Sequence, residues 1–196
     1  SARSSSLASS TSSSLAPLQA PLALVEAEVD VQTSILQSAA SMWEEGEVCA
    51  AIELVAKSGN DGALITLGRS MLKSSRRALT LDTAGTLGSA LATALERVRL
   101  SADTIDLMQA LLRLAIALIR TLGPVVVSTR LAITNSPTQG SRARETKAIL
   151  DSFTRAAAKL SMVASATLSL CRAEPILSTS IPKLCTELKV KAGAVV

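Results

Sequence analysis

Apolar residues return at helical intervals through most of this chain. In a first stretch they are Leu22, Val25, Val29 and Leu36, with Glu26, Glu28 and Asp30 on other sides. A second stretch, about 43–57, carries the stripe Val48, Ala51, Ile52 and Val55, and Glu44, Glu45 and Glu47 crowd its start, where the helix dipole favours negative charge. Ser58-Gly59-Asn60-Asp61-Gly62 is the strongest turn signal in the chain. A third helix, about 63–78, presents Leu64, Leu67 and Met71 and ends in Lys73, Arg76 and Arg77, cations suited to a C-terminus. A fourth, about 82–100, aligns Ala84, Leu87, Leu91, Ala94, Leu95 and Val98, with Gly85 and Gly88 beside them. Each of those glycines costs a helix about 1 kcal/mol relative to Ala, so the pair implies close approach of a neighbouring helix.

Ser101 is placed to cap a fifth helix, about 102–122, whose polar residues Asp103, Asp106, Gln109, Arg113 and Arg120 occupy one narrow stripe. Ile105, Leu107, Met108, Leu111, Leu112, Leu114, Ile116, Leu118 and Ile119 cover the rest, so it is expected at the centre of a bundle. Gly123-Pro124 is expected to stop it, Val125 to Ile133 reads equally as a short buried helix or a strand, and 134–141 reads as a loop. A sixth helix, about 144–170, has the seam Ile149, Phe153, Ala156, Leu160, Val163, Thr167 and Leu170, which alternates steps of four and three as in bundle packing. Beyond Glu174-Pro175 the period changes. Leu184, Thr186, Leu188 and Val190 alternate with Cys185, Glu187, Lys189 and Lys191, the signature of a half-buried strand. The expected fold is therefore mostly α, a bundle of about six amphipathic helices with a short C-terminal β-strand segment. It divides into a Ser-rich linker or tail at 1–21, the helical bundle at 22–172, and a turn and strand entering a sheet at 173–196. Leu184, Leu188 and Val190 would form an interaction strand, its sheet supplied by other chain.

With 196 residues, the chain suits one domain with a sizeable core. It has no His and no Tyr, one Phe and one Trp, yet 48% of its residues are hydrophobic, so that core must be Leu, Ala, Val and Ile. Lack of His excludes Ser-His-Asp and Cys-His nucleophile pairs, imidazole metal ligands and a histidine pH switch. A net charge of +4 is spread thinly, and two aromatics cannot build a base-stacking platform, which argues against nucleic acid. Arg113 and Arg120 interrupt the most hydrophobic helix, and Lys159 precedes the 12-residue uncharged run 160–171, so no membrane span is expected in this segment. The Ser-rich opening lacks the compact apolar block of a signal peptide and, without a starting Met, reads as part of something longer or processed.

Candidate chemistry is sparse. Glu44, Glu45 and Glu47 splay around a helix rather than converge, Asp103 and Asp106 lack partners on a second helix, and the Gly59–Gly62 and Gly85–Gly88 pairs lack the setting of a phosphate loop. No catalytic, cofactor or metal residue is expected. Cys49, Cys171 and Cys185 are too scattered for a zinc site, and no glycosylation sequon is present. In an oxidising compartment Cys171 and Cys185 form the pair to join, and closing that loop would contribute about 3 kcal/mol.

The succession of amphipathic helices, the break Leu100-Ser101-Ala102-Asp103 before a long Leu-rich helix, Glu174-Pro175, Ser178-Thr179-Ser180-Ile181 and the alternating tail resembles the helical first half of a GAIN domain, as in polycystin-like or adhesion-receptor ectodomains. Ala173 stands where the turn's Gly is expected, and the His-Leu-Ser/Thr cleavage tripeptide cannot occur without His. The resemblance implies a non-enzymatic structural and protein-interaction module of a larger receptor-like or polycystin-like protein at the extracellular or ciliary cell surface. Two alternatives stand beside it. An intracellular, cytoplasmic helical-bundle adaptor would bind partner helices in an apolar groove, with free thiols and helix to its end. A carrier of an apolar ligand would need a cavity of hundreds of cubic ångströms.

Overall fold

The computed structural model describes residues 31–73, 79–135, 141–173 and 180–196, the side chains of Asn135 and Arg142 excepted. The chain divides into two compact units, Ser1–Ser34 and Ile35–Val196, and the second holds the helical bundle. Its elements are α1 (31–44, from residue 35 onward within this unit), α2 (Val48–Ser58), α3 (Asp61–Lys73), α4 (Leu81–Arg97), a 3-10 turn (Ala102–Thr104), α5 (Ile105–Asn135), α6 (Ser141–Ala173) and α7 (Ser180–Gly193). The expectation of a mostly helical bundle is met, and no strand occurs among the described residues. The Leu22–Val29 stretch, Arg76–Arg77, Glu174-Pro175 and Ser178-Thr179 lie outside them.

Helix starts follow the local chemistry. Thr80 caps α4: its hydroxyl accepts from the Thr83 N–H at 3.2 Å, and its own N–H donates to the Thr83 hydroxyl at 3.0 Å. Asn60 opens α3 through its side-chain oxygen, which accepts from the Ala63 N–H at 2.9 Å, while Gly59, with φ of 75°, closes α2 in the left-handed region. Gly46, with φ of 88°, separates α1 from α2. The acidic trio is therefore split: Glu44 ends α1, Glu45 lies in the turn and Glu47 flanks α2, and Trp43 belongs to α1. Those carboxylates do not crowd the start of α2 as the pattern predicts.

The core is leucine, alanine and isoleucine around Phe153. Leu87, Leu91, Leu111, Leu112, Leu118 and Ile181 are fully buried in it. α4 lies against α6, and the glycines explain how closely. A Cβ on Gly85 would stand 3.3 Å from the Phe153 backbone nitrogen, and one on Gly88 would stand 3.1 Å from the Ala156 Cβ. Further along, Lys159 Nζ meets Glu96 Oε2 at 3.1 Å and Thr93 Oγ1 at 3.1 Å. These contacts ascend both helices together, so α4 and α6 run parallel.

Two expectations are corrected. Gly123-Pro124 does not end α5, which continues to Asn135. Val126 is fully buried and the Val195 Cγ2 packs 3.1 Å from where a Gly123 Cβ would be, so tertiary packing outweighs the loss of one N–H. Arg120, Thr121 and Pro124 are exposed, which leaves the affected turn on the side where water can serve the freed carbonyl.

The second correction concerns the tail. Leu184, Leu188 and Val190 lie on α7, not on a strand. Ile181, Cys185, Leu188 and Ala192 are the buried positions of α7, spaced four, three and four, whereas Val190 is 65% exposed and Leu184 only half-buried. Leu184 and Leu188 satisfy both periods because four is a multiple of two. Pro182 falls in the first turn, where a missing N–H costs nothing. The Arg130 guanidinium ties the far end down, donating to the Val195 carbonyl at 3.0 Å and to Thr154 Oγ1 at 3.2 Å.

Candidate functional site

α4 stops at Arg97, whereas α6 runs on beyond Lys159 to Ala173. At about 1.5 Å per residue, roughly 20 Å of α6 has outrun its parallel neighbour. On that stretch Met162, Ala166, Leu170 and Ala173, spaced four, four and three, face a groove of about 550 Å³. Its other wall is the end of α4 and the link that comes after it, with Leu95, Val98 and Leu100, and Met108 from the start of α5 forms part of the lining. Met162 is 73% exposed and Leu170 59% exposed, so the apolar surface is open to solvent rather than sealed.

Helix endings position this groove. The link bends away because Ser101 starts the 3-10 turn, its N–H donating to Thr104 Oγ1 at 3.0 Å, which sends the chain into α5. At the near end Glu96 is occupied by Lys159. Arg99 also lines the groove, and none of the ion pairs among the described residues uses it.

Two further grooves differ in character. One of about 570 Å³ between α2, α4 and α6 is lined by Thr86, Ser89, Thr93 and Ser152, and its cations Lys57 and Arg97 already pair with Glu53 and Asp61. The other, about 510 Å³, lies between α1 and α3 and holds Trp43, Ala39 and Leu67.

The sequence-predicted residues fall elsewhere. Cys171 and Cys185 are buried, and both are free thiols. Burial pushes the Cys185 thiol up to about 12, helped by the neighbouring Cys171, and burial also raises Cys171. Cys49 sits apart on α2, its Sγ 3.6 Å from Asp82 Oδ2 and 3.6 Å from Thr86 Oγ1, and desolvation raises it too. Among the described residues no three His, Cys, Asp or Glu side chains gather as metal ligands. Leu184, Leu188 and Val190 do not line the groove.

Sequence reasoning missed the groove because Leu170 reads as part of the buried seam. The available signal was the row Met162, Ala166, Leu170, Ala173 running beside Leu160, Val163 and Thr167, too wide an apolar arc for a helix covered on one side. The stretch 102–134 also contains an 18-residue segment apolar enough to cross a membrane, with a mean hydropathy of 1.9, but 56% of that segment is buried within the bundle. Comparison with known protein families, curated proteins and solved structures finds no match for this chain.

Proposed function

We propose that this chain is a non-enzymatic protein-interaction module whose groove beside the end of α6 receives an amphipathic helix from a partner protein. The observation that carries this reading is the apolar row of α6 left without a neighbour where α4 stops. The groove lies beside the part of α6 that extends about 20 Å past the end of α4, a length that suits a partner helix of about three to four turns. Met162 supplies adaptable, polarisable surface of the kind that accommodates partner helices, above the buried Met108. Arg99 on the rim favours a carboxylate beside the partner's apolar stripe.

The receptor-like or polycystin-like ectodomain reading drew part of its support from a strand at 184–190. With helix there, the helical-adaptor reading has the stronger support. An apolar-ligand carrier would favour an enclosed cavity, and this groove carries two well-exposed side chains.

The test is a selection from a displayed library of helical peptides on the wild-type protein, then binding to a Met162→Glu/Leu170→Glu variant. Both positions are exposed, so the variant should keep its circular dichroism spectrum and melting temperature. Enriched peptides with apolar residues at i, i+3/i+4 and i+7, binding the variant at least about tenfold more weakly, support the proposal. Enrichment of sequences without that spacing, or equal binding to both proteins, refutes it.

A further inference from the structure

The groove of about 510 Å³ between α1 and α3 is apolar at its base and carries polar residues around it. Ala39 and Val55 are buried beneath it, and its two walls repeat at helical spacing, Leu36, Ala40 and Trp43 on α1 and Ala63, Leu67 and Ser70 on α3. No hydrogen bond among the described residues uses the Trp43 indole N–H, the Asn60 side-chain N–H groups or the Ser70 hydroxyl, so these lining residues bring unused donors. Charge at this corner is one-sided. Between residues 31 and 56 the chain carries Glu44, Glu45, Glu47 and Glu53 and no Lys or Arg. Glu53 meets Lys57, but none of the ion pairs among the described residues uses the other three, and Glu44 lines the groove. Arg69 and Lys73 of α3 do not line it.

We infer that this groove takes a short extended segment of a partner protein, one that carries two apolar side chains and a Lys or Arg beside them. Length and hydrogen bonding favour extended chain over helix. The α1 wall from Leu36 to Glu44 is about 12 Å long, which about four extended residues span, whereas a helix of that length has barely two turns. An extended segment also leaves backbone carbonyls in need of donors, which Trp43, Asn60 and Ser70 supply; a helix satisfies its own. The apolar side chains cover Ala39, Val55 and Leu67, and the cation is drawn to Glu44, with Glu45 and Glu47 close along the chain, and to the indole of Trp43. A half-buried Trp in a groove is the kind of anchor that carries much of an interface's affinity. None of these residues lines the groove beside α6, so this inference does not rest on the reading of that one.

Trp43 is the only Trp and the chain has no Tyr, so its emission reports on this groove. A displayed library of random linear peptides flanked by glycines is selected on the full chain. Enriched peptides are then titrated, at low and at physiological salt, into the wild-type protein, Ala40→Lys, Glu44→Gln and Met162→Glu/Leu170→Glu. Ala40 and Glu44 are exposed helix positions, so circular dichroism should show both variants folded. The expected peptides carry apolar residues at i and i+2 with Lys or Arg alongside, and they shift Trp43 emission to the blue. Ala40→Lys puts a like charge in the groove and should weaken them at least about tenfold, and Glu44→Gln should weaken them with a flatter salt dependence. Affinity for Met162→Glu/Leu170→Glu should be unchanged. The inference is overturned if no cationic sequence is enriched, if bound peptides leave Trp43 emission where it was, or if Ala40→Lys binds as well as the wild type. Peptides that lose affinity for Met162→Glu/Leu170→Glu instead sit beside α6, which overturns this inference and leaves the proposal for that groove standing.

Discussion

Substituting Gly88 with Ala sets two sizeable effects against each other. In an unobstructed helix interior the change stabilises by about 1 kcal/mol through propensity, and burying one more methyl adds about 0.8 kcal/mol. Against this, the new Cβ would stand 3.1 Å from the Ala156 Cβ, where carbon atoms prefer about 3.5–4.0 Å. Neither atom is the tip of a flexible side chain, so α4 and α6 must separate by roughly half an ångström. That separation weakens contacts along their whole seam, and overpacking of this kind costs about 1–3 kcal/mol. Because neither Cβ can rotate away, that cost falls toward the upper end of its range, and the expected net effect of Gly88→Ala is a loss of up to about 1 kcal/mol, measured by urea denaturation monitored by circular dichroism. Gly62→Ala is the control: the position is exposed on α3 and its Cβ would meet only Asn60 Oδ1 at 3.6 Å, so it should gain about 0.5–1 kcal/mol. Pairing Gly88→Ala with Ala156→Gly moves one methyl across the interface, and the double variant should be at least about 1 kcal/mol more stable than the two single effects summed. A Gly88→Ala protein as stabilised as Gly62→Ala, or an additive cycle, would show that α4 and α6 do not approach as described.

Individual contacts set other expected outcomes. Thr80→Ala removes one half of the α4 capping box and should lower stability by about 1 kcal/mol in the same denaturation assay. Pro124→Ala restores a backbone donor in the exposed turn of α5 and should raise stability by about 1–2 kcal/mol; a loss instead would mean the bend at that turn is required by the packing of Val126 and Val195. For Cys185 the folded thiol is pushed up to about 12 from an ordinary 9.0, so above pH 9 the unfolded chain gives up its proton first. The folded state then binds more protons than the unfolded one, and stability falls as pH rises from 9 toward 12. Denaturation midpoints measured across that range under reducing conditions should fall less steeply in Cys185→Ala, which lacks the group; identical slopes would contradict the burial of this thiol.

How much the amino-acid pattern reveals depends on whether one period is enough. α4 and the seam of α6 are legible because Leu87, Leu91 and Leu95, like Phe153, Leu160 and Val163, bury one face against close neighbours, and Gly85 and Gly88 already mark the approach in the sequence. α7 is misread because Leu184 and Leu188 fit helix and strand alike, and only the burial of Cys185 and Ala192 decides between them. Pro124 misleads for a different reason: local propensity ends a helix there, and long-range packing of Val126 overrides it. The groove is a difference between the lengths of two parallel helices, so it belongs to no single segment. Leu170 continues the seam in sequence yet loses its cover because α4 ends at Arg97.

The chain has four methionines, Met42, Met71, Met108 and Met162, which makes methyl-labelled NMR a direct probe of where a partner helix binds. Met108 and Met162 line the groove, and Met42 and Met71 do not. Titration with a selected amphipathic helical peptide should shift and broaden the Met162 and Met108 methyl signals while Met42 and Met71 stay in place. Shifts confined to Met42 or Met71, or equal movement of all four, would contradict the account.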